Sequence, residues 1–112
     1  MKVHFSTSFE FLRQFKRLAK KYPSLVSDYE TFKKELRENP FQGRSLGGGM
    51  RKVRMTIASK GKGKSSGARV ITFNIDQQDD DTLIVTLLTI YDKGEIASVT
   101  DKYLKWLVSL IK

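Results

Sequence analysis

Between Arg44 and Arg69 the chain carries Arg44, Arg51, Lys52, Arg54, Lys60, Lys62, Lys64 and Arg69, and not one Asp or Glu. Residues of these types can do two things to a phosphodiester. Arg is a permanent planar cation that grips phosphate oxygens through forked N–H groups. Lys is a point charge that turns into a base when burial and neighbouring cations depress its pKa. The acids lie elsewhere, in the helical segments, at Asp79-Asp80-Asp81 and toward the C-terminus. Charge of one sign is therefore segregated on the middle third of a chain whose net charge is +9. Such segregation points to a polyanionic partner, nucleic acid above all, with salt-sensitive binding.

Several other chemistries are set aside by residue type. The chain has no Cys, which removes disulfides, thiolate zinc sites and cysteine nucleophiles, and fits a reducing compartment. His4 is the single histidine, so a two-imidazole ribonuclease is impossible and the ring reads as structural. Gly63-Lys64-Ser65 ends like a phosphate-binding loop. However, Ala58 stands where that motif needs Gly, and a β-branched run follows where it needs a helix. Asp76, Asp79, Asp80 and Asp81 lack the ordered spacing and Gly of a calcium loop and read as a hairpin turn. Neither a metal nor a small-molecule cofactor is expected.

With 112 residues the chain has the length of one domain, and we take residues 1–112 as a single unit. The opening residues lack the apolar run of a secretory signal, and the longest apolar stretch, Leu83 to Leu88, is too short to span a bilayer. The expectation is a cytoplasmic protein with no membrane partner.

The positioning elements follow from periodicity. Val3 to Phe5 reads as a first strand, and Thr7-Ser8-Phe9-Glu10 fits a capping box opening a helix. Phe9, Leu12, Phe15, Ala19 and Tyr22 form its apolar stripe, with Phe9, Phe11, Phe15 and Phe32 all expected in the core. Pro23 separates it from a second helix striped by Leu25, Tyr29, Phe32 and Leu36, which Asn39-Pro40 stops. The two should form an antiparallel hairpin. Gly47-Gly48-Gly49 reads as a flexible approach to a strand from Arg51 to Ala58. There Val53, Met55 and Ile57 point one way, and Lys52, Arg54 and Thr56 the other. Ala68 to Ile75 and Leu83 to Tyr91 read as inner strands. A last helix, capped by Ser98 or Thr100, carries Leu104, Leu107 and Ile111. The order is β-α-α-β-β-β-α. The fold class is α+β, with two N-terminal helices packed on a small twisted antiparallel sheet and a C-terminal helix.

The series Asn39-Pro40-Phe41-Gln42-Gly43 and Leu46-Gly47-Gly48-Gly49-Met50-Arg51-Lys52-Val53-Arg54 resembles the RelE/ParE toxin superfamily, its HigB-like branch most closely. Ser59-Lys60-Gly61-Lys62-Gly63-Lys64, Ala68-Arg69-Val70-Ile71 and Leu87-Leu88-Thr89-Ile90-Tyr91-Asp92-Lys93-Gly94-Glu95 continue the match in order. The resemblance implies the toxin of a type II toxin–antitoxin pair, held inactive by a cognate antitoxin protein. It implies a metal-independent endoribonuclease that cleaves mRNA on the ribosome and stops translation.

By position, Lys52 and Arg54 match the paired strand cations of RelE proteins, and Arg69 matches the Arg that opens the next strand. Arg54 and Arg69 would carry the phosphate charge, with Lys52 as base or third clamp. Lys93 resembles the cation after the last strand, Tyr91 offers a phenol for proton transfer or a ring to stack on a base, and Glu95 a carboxylate that orients one of these groups. Arg51, Lys60, Lys62 and Lys64 would hold RNA backbone. The Tyr that usually follows the last-strand cation is absent, since that region reads Ile96-Ala97-Ser98-Val99-Thr100, and Tyr103 falls on the final helix. Two other readings are carried forward: a ParE-like gyrase inhibitor, and a non-catalytic basic nucleic-acid-binding module.

Overall fold

The computed structural model describes residues 1–61, 67–77 and 81–111. Strand β1 (Lys2–Thr7) leads directly into helix α1 (Phe9–Lys21). The cap is Ser8, one residue beyond the expected Thr7, because β1 stays paired with its neighbour through Thr7. Ser8 makes three bonds at once. Its N–H donates to Leu87 O at 3.0 Å, its hydroxyl donates to Leu88 O at 2.6 Å, and its Oγ accepts the Phe11 N–H at 3.0 Å. Glu10 does not return to the cap; its buried carboxylate accepts from Arg13 and from the Tyr103 hydroxyl.

This anchor also fixes the rotation of α1. Phe9 and Leu12, expected in the core, are 81% and 51% exposed, while Phe11 and Leu18 are buried. Phe15, Ala19 and Tyr22 fit both stripes, so periodicity alone left two faces open, and the attachment of Ser8 to the sheet selects one. Helix α2 (Leu25–Glu38) buries Leu25, Phe32 and Leu36 as its pattern predicts. The Tyr29 ring lies 5.7 Å from that of Phe11 and 5.0 Å from that of Phe15, joining the two helices.

Among the described residues the sheet has five strands. Strands β2 (Arg44–Gly47), β3 (Met50–Met55), β4 (Ala68–Gln77) and β5 (Thr82–Asp92) complete it in the order β1-β5-β4-β3-β2. Two features depart from the sequence reading. The sheet expected to be antiparallel is mixed, because the β1–β5 pair is parallel, which the long connection through both helices and the intervening strands permits. The residues before the glycines form an edge strand, and Gly47, Gly48 and Gly49, all at positive φ, turn it back onto β3.

Alternation along the strands divides the interior in two. Val53, Met55, Val70, Val85, Leu87 and Ile90 face α1 and α2. Ile71, Leu88 and Tyr91 face the other way, under Leu104 and Leu107 of helix α3 (Asp101–Ser109). Between Ile71 and Thr72 the register with β5 shifts, so Leu88 faces no residue of β4 directly. That bulge is why the adjacent Leu87 and Leu88 are both buried, one in each core. Helix α3 is capped by Thr100, whose Oγ1 accepts the Tyr103 N–H at 3.1 Å, and leaves Trp106 46% exposed. Among the described residues no helix is long and apolar enough to cross a membrane.

Candidate nucleic-acid interface

The register places the cations in rows. In the β2–β3–β4 ladder Arg44 stands opposite Lys52, which stands opposite Ile71. One step along, Arg54 stands opposite Arg69, which stands opposite Tyr91. Directly opposed residues project from the same face of a sheet. Arg44, Lys52, Arg54 and Arg69 therefore share the face that α1 and α2 do not cover, beside the part that α3 does. Lys93, just beyond β5, completes a groove of about 660 Å³ lined by Gln42, Gly43, Arg44, Lys52, Val53, Arg54, Arg69 and Lys93. Among the described residues no carboxylate lines it.

Electrostatics inside the groove follow from this crowding. Burial, together with the charges of Arg44, Lys93 and Arg69, holds the Lys52 ammonium below the usual lysine pKa. Arg69 is almost fully buried, and its guanidinium reaches the Ala68 carbonyl at 3.2 Å. The Lys93 ammonium donates to Ala97 O at 2.8 Å, which holds it at the groove's end. Arg54 is exposed, whereas Lys52 is only partly so.

The groove thus gathers Lys52, Arg54, Arg69 and Lys93 from the expected catalytic set and leaves others out. Tyr91 is 3% exposed beneath Arg69, with its hydroxyl buried and no hydrogen-bond partner among the described residues. Burial raises the pKa of this phenol and the Arg69 charge opposes the rise. Glu95 lies away from the groove, paired with Arg17 at 2.8 Å and Lys21 at 3.2 Å on α1. Arg51 alternates to the opposite side of β3. Its Nε donates to Gln42 O at 3.0 Å and its Nη2 to Gly43 O at 2.8 Å.

Lys60 sits on the short helical turn after β3 and pairs with the buried Asp92 at 2.7 Å, with 14% of its side chain exposed. Lys62 and Lys64 fall outside the described residues. His4 is exposed on β1, across the sheet from the cations. The residue that sequence reasoning left out of the site is Arg44. It was visible as part of the acid-free run, but only its pairing with Lys52 brings it to the groove.

Among the described residues no group of His, Asp and Glu side chains is arranged to hold a metal ion. The chain matches no protein-family model.

Proposed function

We propose that this protein is the toxin of a type II toxin–antitoxin pair, an endoribonuclease that cleaves mRNA on the ribosome in the cytoplasm, with its own cations carrying the chemistry. The observation that supports this best is the groove itself, where four cations, and no carboxylate among the described residues, surround a lysine of depressed pKa. The order of motifs resembling RelE and HigB-like toxins adds to it.

The reaction that fits is attack of a ribose 2′-OH on the adjacent phosphorus. It needs a base, stabilisation of the phosphoryl charge, and a proton for the leaving oxygen. Lys52, as the free amine, takes the 2′-OH proton while the new O–P bond forms. Arg54 and Arg69, opposed across the ladder, hold the non-bridging oxygens, and Arg44 adds a third charge. The bond to the 5′-oxygen breaks, and the Lys93 ammonium gives that oxygen its proton. The buried position of Tyr91 suits a supporting role beneath Arg69 better than proton transfer. A cation-rich open groove also suits a folded ribonucleoprotein substrate, since such a surface reads backbone shape before base identity.

The test is cell-free bacterial translation with the protein added and mRNA ends mapped by primer extension. New ends that vanish when ribosomes are removed support the proposal. Intact mRNA with normal translation refutes it and directs attention to gyrase supercoiling or to plain nucleic-acid binding.

A further inference from the structure

The strand alternation that puts Lys52 and Arg54 into the groove puts Arg51 on the back of β3, where it does not lie idle. Its guanidinium forks onto two consecutive carbonyls, Gln42 O at 3.0 Å and Gly43 O at 2.8 Å. These residues form the lip of the groove and lead straight into Arg44. Gly43 has a φ of +87°, and a Cβ there would come within 2.4 Å of Lys52 O, so the lip lies against the backbone of the groove's central lysine. A second pin comes from β4, where the Asn74 amide donates to Pro40 O at 3.1 Å. The Gln42 amide in turn donates to Asn39 O at 3.1 Å. The segment between α2 and β2 is thus laced to the sheet from behind, and Arg51 supplies the bonds closest to Arg44.

We propose that Arg51 is a positioning residue: by clamping the Gln42 and Gly43 carbonyls from the back of the sheet it holds Arg44 against Lys52 and so sets the electrostatics of the groove. This rests on the ribonuclease reading for its consequence in catalysis, though not for its consequence in Lys52. Among the described residues, the charged groups that line the groove with Lys52 are Arg44 from β2, Arg54 from its own strand, Arg69 from β4 and Lys93 beyond β5, all cations. Releasing Arg44 removes one of them without touching the others. A planar fork matters here, because two carbonyls are held at once and an ammonium cannot reproduce the geometry.

The experiment compares wild type with Arg51→Met and Arg51→Lys, each checked for folding by its amide NMR spectrum. Two readouts are taken: an NMR titration of the Lys52 side chain, and the kcat and KM of ribosome-dependent mRNA cleavage. Both variants are expected to raise the Lys52 pKa toward the ordinary lysine value. Each should lower kcat on the order of tenfold at pH 7 while KM stays within about twofold, the pattern of a misplaced catalytic group. An unchanged Lys52 titration in a folded Arg51→Met protein overturns the proposal. So does an Arg51→Lys protein with full activity beside an Arg51→Met protein whose KM alone rises, because that result makes Arg51 a direct RNA contact. Should wild type fail to cleave mRNA, the ribonuclease reading fails, and the Lys52 titration still decides the role of Arg51.

Discussion

Arg54 and Arg69 stand directly opposite one another across the β3–β4 ladder, two permanent cations side by side on one face of a sheet. Like charges so placed repel, and cross-strand pairing of this kind destabilises the sheet that holds it. An anion held between the two would relieve that repulsion. Replacing Arg54 or Arg69 by Ala is therefore expected to cut mRNA cleavage about a hundredfold or more. Arg54→Ala, at the exposed member, should leave the melting temperature unchanged or slightly higher. Full activity in both variants would remove the pair from the site.

Salt sensitivity measures how many of these charges meet phosphate. With five cations lining the groove, the logarithm of affinity for single-stranded RNA should fall with the logarithm of salt at a slope of roughly −3. Arg44→Gln should make the slope shallower by about one unit at most. A slope near zero would show that the groove does not hold the RNA backbone.

The pH dependence follows from Lys52. Because its pKa is held below the ordinary lysine value, the amine form appears, and the cleavage rate rises, at lower pH than for an unperturbed lysine. Arg44→Gln is expected to move this limb upward, since a neighbouring cation is lost. The linked effect on stability has a fixed sign. Between the folded and unfolded Lys52 pKa values the unfolded chain binds more protons, so stability rises with pH across that interval. Paired pH–rate profiles of wild type and variant check this, and coincident profiles would show that the Arg44 charge does not set the titration of the base.

Asp92 ties the end of β5 to the rest of the fold. Burial pushes its carboxyl pKa up, but the Lys60 ammonium at 2.7 Å, the Tyr22 hydroxyl and the Gly94 N–H at 2.8 Å outweigh that and hold it at about 2. Its folded pKa lies below the unfolded value, so the stabilisation is complete above about pH 4 and is lost as pH falls toward 2. The contribution is on the order of 2 kcal/mol. Urea denaturation at pH 7 and pH 2.5 should show wild type losing stability that Asp92→Asn does not have to lose. Lys60→Met should lower stability while leaving the salt slope of RNA binding in place, in contrast to the backbone-holding role expected of Lys60 from its sequence alone.

Gly43 offers a purely steric test. Ala at this position must adopt a φ of +87° and bring its Cβ to 2.4 Å from Lys52 O. The lip must then move off β3, at an expected cost of about 1–3 kcal/mol, together with loss of cleavage. A thermal melt and a cleavage assay on Gly43→Ala check both, and wild-type values in each would show that the lip has another resting place.

Much of this protein was legible in its sequence because the signals were local. The 3.6-residue spacing of Leu25, Tyr29, Phe32 and Leu36, the alternation through Val53 and Met55, a helix cap at Ser98 or Thr100 and the helix stop at Asn39-Pro40 each act over a few residues, and all four are found in the fold, with Thr100 as the cap. The acid-free run from Arg44 to Arg69 likewise marked the groove from composition. Register and rotation depend on partners far away in the chain. Phe9 and Phe11 were equally good core candidates until Ser8 was fixed to Leu87 and Leu88, and only the packing of α3 against β5 buries Tyr91. Arg51 and Lys52 are adjacent and both cationic, so composition treats them alike. Pairing of β3 between β2 and β4 sends one into the groove and the other to the back of the sheet, because neighbouring side chains on a strand must leave by opposite faces.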